Sequence, residues 1–174
     1  MAETYVVIAN IYNDDDDAIE DFNEVKALYD EWGAVDTFDA AVITKDDHGK
    51  VSVVKRREEP VVQGGTLGAV TGLALGAVAA LFPAVTIGAA LLVGTGAGAA
   101  IGAITGHVVA GLSRHDLKEL GELLDEGQTA FVVVAAVDVE ARVAAAIKRA
   151  DKQVKKELKA DQKALREDID SQSA

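Results

Sequence analysis

The sequence predicts an α+β fold, and three observations predict it. Two β-branched runs, Thr4–Tyr12 and Gln128–Asp138, read as buried strands. Apolar residues at three-four spacing mark amphipathic helices beside them. Between Val61 and Ser113 the chain holds no Asp, Glu, Lys or Arg, and this stretch interrupts the alternation.

The elements follow in order. Thr4–Tyr12 (TYVVIANIY) is the first strand. Asp14–Asp17 come next, placing acids at the positive end of a helix, where one of them caps it. That helix is expected over Asp15–Trp32, with Ala18, Ile19, Phe22, Val25, Leu28, Tyr29 and Trp32 on its buried face and Gly33 ending it. Ala34–Thr44 and Lys50–Arg57 read as a hairpin about Asp46-Asp47-His48-Gly49. Pro60 stops the second strand. Ser113-Arg114-His115-Asp116 is a capping-box variant. It opens a short helix with Leu117, Leu120, Leu123 and Leu124 on its apolar face, closed by Gly127. After the Gln128–Asp138 strand, a long helix is expected from about Val139 to Ile169. Its stripe is Val143, Ile147, Ala150, Val154, Leu158, Leu165 and Ile169. The stripe thins after Val154, so the second half should protrude as a charged rod.

With the uncharged stretch set aside, the order is β-α-β-β-α-β-α. The first six elements match the split βαβ, ferredoxin-like βαββαβ pattern. The expected organisation is residues 1–60 as the first part of that domain, 61–112 as an inserted helical hairpin, 113–138 as the second part and 139–174 as the C-terminal helix. Both helices of such a sandwich share one sheet face. The other face would need the last helix, the hairpin or another subunit to cover it.

The insertion carries two glycine ladders. Gly64, Gly68, Gly72 and Gly76 are spaced by four, as are Gly94, Gly98, Gly102 and Gly106. Residues four apart share a helix face, so each ladder draws a groove with no side chain to hold a partner away. Pro83 lies between the ladders and marks the turn of a glycine-zipper hairpin, Gly64–Phe82 and Ala84–Leu112. Gly costs about 1 kcal/mol per site in an exposed helix, so these helices need a partner surface or a bilayer. A flexible linker would favour Ser and charge. This stretch carries Leu67, Leu73, Leu75, Leu81, Ile87, Leu91, Leu92, Ile101 and Ile104 instead.

The YVVIAN first strand, the basic strand end Lys55-Arg56-Arg57, the GGTLGAVTGLALG opening and the late TAFVVVAAVD run together resemble an uncharacterised bacterial family. Its members are small proteins labelled as membrane proteins, some with stress-response labels, in which a ferredoxin-like domain is split by a glycine-rich hydrophobic segment. The resemblance covers most of the chain. It implies membrane association and brings no catalytic residues.

Several chemistries are excluded by what the chain lacks. Net charge is −12, a poor match for nucleic-acid phosphate. There are no cysteines, hence no disulfides, thiol nucleophile or thiolate metal site. Three separated histidines, His48, His107 and His115, make no metal cluster. Asp14–Asp17 lack the alternate ligands and turn glycine of a calcium loop. GGTLGAVTG lacks the GK[ST] ending of a phosphate loop. No catalytic residue, cofactor or small-molecule substrate is assigned. His107 is the only titratable side chain in the uncharged stretch, and so a candidate ionisable site.

Three functions stay open, the least supported being a small-molecule sensor or enzyme that uses the ferredoxin-like sheet, for which no residue supports a reaction. In the first, a non-enzymatic membrane-associated protein inserts its hairpin in the bilayer and homo-oligomerises through the glycine ladders. Its helices would span ~28 Å and up to ~42 Å, against roughly 30 Å of hydrocarbon. Lys55, Arg56, Arg57 and Arg114 flank the hairpin, as expected of an inner-membrane protein with a cytoplasmic domain. In the second, a soluble cytoplasmic homo-oligomer buries its hairpins between subunits as a scaffold. Ala, Gly and Thr outnumber the bulky apolar residues, which favours that alternative.

Overall fold

The computed structural model describes residues 3–33, 39–45, 51–56, 111–126, 129–160, 163–164 and 167. Within them lie five strands and three helices: β1 (Glu3–Tyr12), α1 (Asp15–Glu31), β2 (Asp39–Lys45), β3 (Val51–Arg56), α2 (Arg114–Glu126), β4 (Thr129–Ala136), α3 (Glu140–Ala146) and β5 (Lys152–Ala160). The fold is α+β. The strands form one antiparallel sheet in the order β3-β2-β4-β1-β5.

Local chemistry places the helix starts where the sequence puts them. Asp14 caps α1, its Oδ1 accepting from the Asp16 N–H at 2.8 Å. Asp15, Asp16 and Asp17 fill the first turn, against the positive end of the helix. Gly33, at φ 66°, takes the left-handed conformation that closes the helix. Ser113 caps α2, its Oγ accepting from the Asp116 N–H at 3.0 Å.

Directly paired strand residues share a sheet face. One face carries Val6, Ile8 and Tyr12, Ala40 and Val42, and Phe131, Val133 and Ala135. Phe22, Val25 and Tyr29 of α1 and Val143 of α3 complete that core. The Phe22 and Phe131 rings meet at a centroid distance of 5.7 Å. The opposite face carries Val7, Ala9, Ile11, Ala41, Ile43, Val132 and Val134, all buried. The helix α2 lies on this second face: Lys156, paired with Val7, reaches its Asp116 and Glu119.

Two expectations are corrected here. The long helix from Val139 to Ile169 does not form. It stops at Ala146, the backbone turns extended at Ile147 (φ −85°, ψ 103°), and Lys152–Ala160 is the edge strand β5. The cause is tertiary. The Arg149 N–H, which a helix would give to a carbonyl four residues back, donates instead to the Asp21 carboxylate at 2.9 Å. The Asp151 N–H donates to the Ile11 carbonyl at 2.8 Å, and the Asn13 N–H to Asp151 Oδ2 at 3.0 Å. These bonds aim the chain back along β1. Further on, Lys163, Ala164 and Glu167 are helical.

The second correction concerns the pairing of helices. The helix that shares the α1 face is α3, not α2. Consequently β4 lies between β1 and β2, β3 is the outer strand beside β2, and β5 extends the sheet beyond β1. The buried Asn10 amide, bonded to Gln153, fixes the register of β5. Asn10 Nδ2 donates to the Phe131 carbonyl at 3.0 Å, and its Oδ1 accepts from Gln153 Nε2 at 2.9 Å. A slip of one residue would turn every β5 side chain to the other face.

Candidate functional site

Most residues singled out in the sequence lie outside the described ones: Gly64, Gly68, Gly72, Gly76, Gly94, Gly98, Gly102 and Gly106, Pro83, His107 and Arg57. What the structure does place is the root of the insertion, the two points where the sheet gives way to it. Lys55 and Arg56 end β3, and Arg56 pairs with Ala41 near the start of β2. Gly111 returns the chain against β5. A Cβ on Gly111 would overlap the Lys159 carbonyl oxygen and crowd Leu158. Lys159 in turn pairs with Thr4, near the start of β1. Arg56 and Gly111, which flank residues 57–110, thus lie at the same end of the sheet, where β1 and β2 begin. They sit at opposite edges, four strand spacings or about 19 Å apart at about 4.8 Å each.

The returning end is clamped. Leu112, Leu120 and Leu158 are buried. Lys156 Nζ contacts Glu119 Oε2 at 2.6 Å and Asp116 Oδ1 at 3.4 Å. The Ser113 hydrogen bond, then Lys156, holds the Asp116 carboxyl below its ordinary range. Lys156 does the same for Glu119, and Glu119 raises Lys156 in return. Carboxyls with lowered folded pKa values stabilise above their ordinary titration range, and lose that contribution as the solution is acidified through it. Arg114 opens α2 and is exposed. Gly111→Ala is expected to loosen this root. Amide exchange across α2 should rise while exchange in α1 stays at its wild-type rate; unchanged exchange in α2 would show that the close approach carries no weight.

A second cluster pins α1 to the turn before β5. Asp21 is fully buried. Its carboxylate accepts from Tyr12 Oη at 2.9 Å, from the Arg149 N–H at 2.9 Å and from Arg149 Nη1 at 2.9 Å. Arg149 also meets Glu20 at 2.8 Å and Glu24 at 3.1 Å. Thr129 donates to Asp15 from the start of β4. Burial, and then Asp21, push the Tyr12 hydroxyl well above its ordinary value. Burial, followed by Asp39 and Asp138, pushes Tyr29 up to about 12.

These tyrosines give a pH prediction. Their raised folded values mean that the native state holds the phenolic protons more tightly than the unfolded chain. Stability from this source is full below pH 10.0, the ordinary value, and for Tyr29 is lost as pH rises towards about 12. Urea midpoints should therefore fall across that interval, and Tyr29→Phe should flatten the fall. A midpoint that holds level to pH 12 in the unaltered chain would refute this.

Both clusters tie distant parts of the chain together, Lys156 joining β5 to α2 and Arg149 joining the turn before β5 to α1. Among the described residues, no three His, Cys, Asp or Glu side chains are placed to hold a metal ion. No helix among them is long and apolar enough to cross a membrane. Fold and root together define an α+β sheet protein interrupted by a long uncharged insertion. A family model described as a protein of unknown function, DUF1269, matches residues 62–170, more than half of the chain. The chain belongs to that uncharacterised family. No curated protein and no solved structure matches it.

Asp21 and Arg149 are not among the residues the sequence reading singles out, although the sequence carries a signal for Asp21. Asp21 stands three residues after Ala18 and four before Val25, on the face that α1 buries. An acid at a core position asks for partners.

Proposed function

We propose that this is a non-enzymatic, membrane-associated protein. Its glycine-zipper hairpin enters the bilayer and pairs with copies of itself, while a ferredoxin-like domain remains outside. In that domain, β1, α1, β2, β4, α3 and β5 supply the six elements, with β4 between β1 and β2. One observation carries the reading: Arg56 and Gly111, at the two ends of the insertion, reach the same end of the sheet. A bilayer hairpin needs both its ends on one side of the membrane. The insertion supplies the matching chemistry, an uncharged stretch with two small-residue ladders that replace hydrophobic drive by close packing.

The test is fractionation without detergent. The reading expects the chain to pellet with membranes and to resist carbonate and high salt. A defined, detergent-free large species in solution would support instead the soluble scaffold with hairpins buried between subunits, which the low bulk of the insertion favours. Within either assembly, Gly98→Leu or Gly72→Leu should disrupt association far more than Ala99→Leu, because only the ladder positions meet a partner's backbone. Equal effects at all three sites, read by cross-linking, would sink the ladder model.

A further inference from the structure

We propose that the end of the sheet where β1 begins sits on the headgroups of a lipid bilayer, with Trp32, Val137 and Arg142 against them. This rests on the membrane reading above and names the surface that would meet the lipid.

Connectivity brings this end to the membrane. Chain leaves the described domain at Arg56 and returns at Gly111, both at this end. An inserted stretch rooted there brings that end down to the membrane.

The same end displays groups that suit headgroups. Val137 follows β4 and is a large hydrophobic 53% exposed to water. Trp32 caps the C-terminal end of α1 and is partly exposed. Its ring packs on Tyr29 at a centroid distance of 5.3 Å, with the Arg142 guanidinium 5.7 Å from the ring centroid. An indole with one wet side beside a guanidinium suits the headgroup layer, where apolar carbon and phosphate are both within reach. Arg114 and Lys159 are exposed at the same end. Glu31 and Asp138 are exposed there too. Contact is therefore through the aromatic, aliphatic and guanidinium groups rather than through net charge.

The opposite end of the sheet contrasts with it. It carries Asp14, Asp15, Asp16 and Asp17, all exposed. Anionic headgroups repel such a run.

Trp32 is the only tryptophan and the chain has no cysteine, so the full chain reports on itself. The experiment mixes it with vesicles of brominated phosphatidylcholine and phosphatidylglycerol, and separates bound from free chain by flotation. Trp32 emission should shift to the blue and lose most of its intensity to the bromolipid. Val137→Cys should react with a water-soluble maleimide severalfold more slowly on vesicles than off them, and Asp16→Cys at one rate throughout. Unchanged Trp32 emission, or an unchanged Val137→Cys rate, in a chain that floats overturns this orientation and leaves the membrane reading standing. Protection at Asp16→Cys also overturns it, by inverting the domain. A chain that does not float overturns both.

Discussion

Asp21→Ala is expected to destabilise the domain by about 2–4 kcal/mol, the cost of leaving two donors without their buried acceptor. The residue is fully buried and gathers three donors from two distant parts of the chain. Alanine leaves the Tyr12 hydroxyl and the Arg149 N–H without their acceptor, and each such loss costs about 1–3 kcal/mol in a buried site. The Arg149 guanidinium keeps Glu20 and Glu24, so part of its interaction survives. Tyr12→Phe removes one donor and leaves the carboxylate with Arg149, so it should cost only about 1 kcal/mol. Urea unfolding decides the matter: the midpoint should fall with its slope unchanged. A change in Asp21→Ala no larger than that in Tyr12→Phe would show that the cluster does not tie α1 to the turn before β5.

Ending the chain after Asp151 is expected to abolish cooperative unfolding altogether. This removes β5, its nine-residue register with β1, and the buried Leu158. It also strips Gln153 from Asn10, leaving a buried amide oxygen short of its donor in the middle of the sheet. The loss of Lys156 frees Asp116 and Glu119. Single domains hold a margin of about 5–15 kcal/mol, and losses of this kind together exceed its lower part. A sharp thermal transition in the truncated chain would contradict the placement of β5 as an integral strand.

That truncation also marks where the sequence stopped being legible. Val143, Ile147, Ala150, Val154 and Leu158 are spaced by four, three, four and four, which fits a helix. Val154, Lys156 and Leu158 also alternate, which fits a strand. Local pattern does not choose between them. Asp21, on the far side of the sheet's connections, does so by taking the Arg149 N–H. By contrast α1 was legible almost to the residue, because its cap, its buried stripe and its closing glycine are all written within the helix itself. The strand β4 was legible as a strand, since Phe131–Ala135 is buried on both faces. Its position between β1 and β2 was not, because that depends on which strands pair across the sheet. The candidate site behaves in the same way. Lys55, Arg56 and Arg114 flag where the insertion begins and ends, but only the pairing of β3 with β2 and the seating of Gly111 on β5 bring those points to one end.

The pairings of β1 carry a consequence for synthesis. Both of its neighbours, β4 and β5, are made more than a hundred residues after it, beyond the whole insertion. As the chain emerges from the ribosome at about 5–20 residues per second, β1 and α1 wait for those partners. The loop closed by β1 and β4 is long, and such non-local closure is slow in any case. The uncharged stretch therefore leaves the ribosome before β4 and β5, ahead of the closing of the sheet around β1.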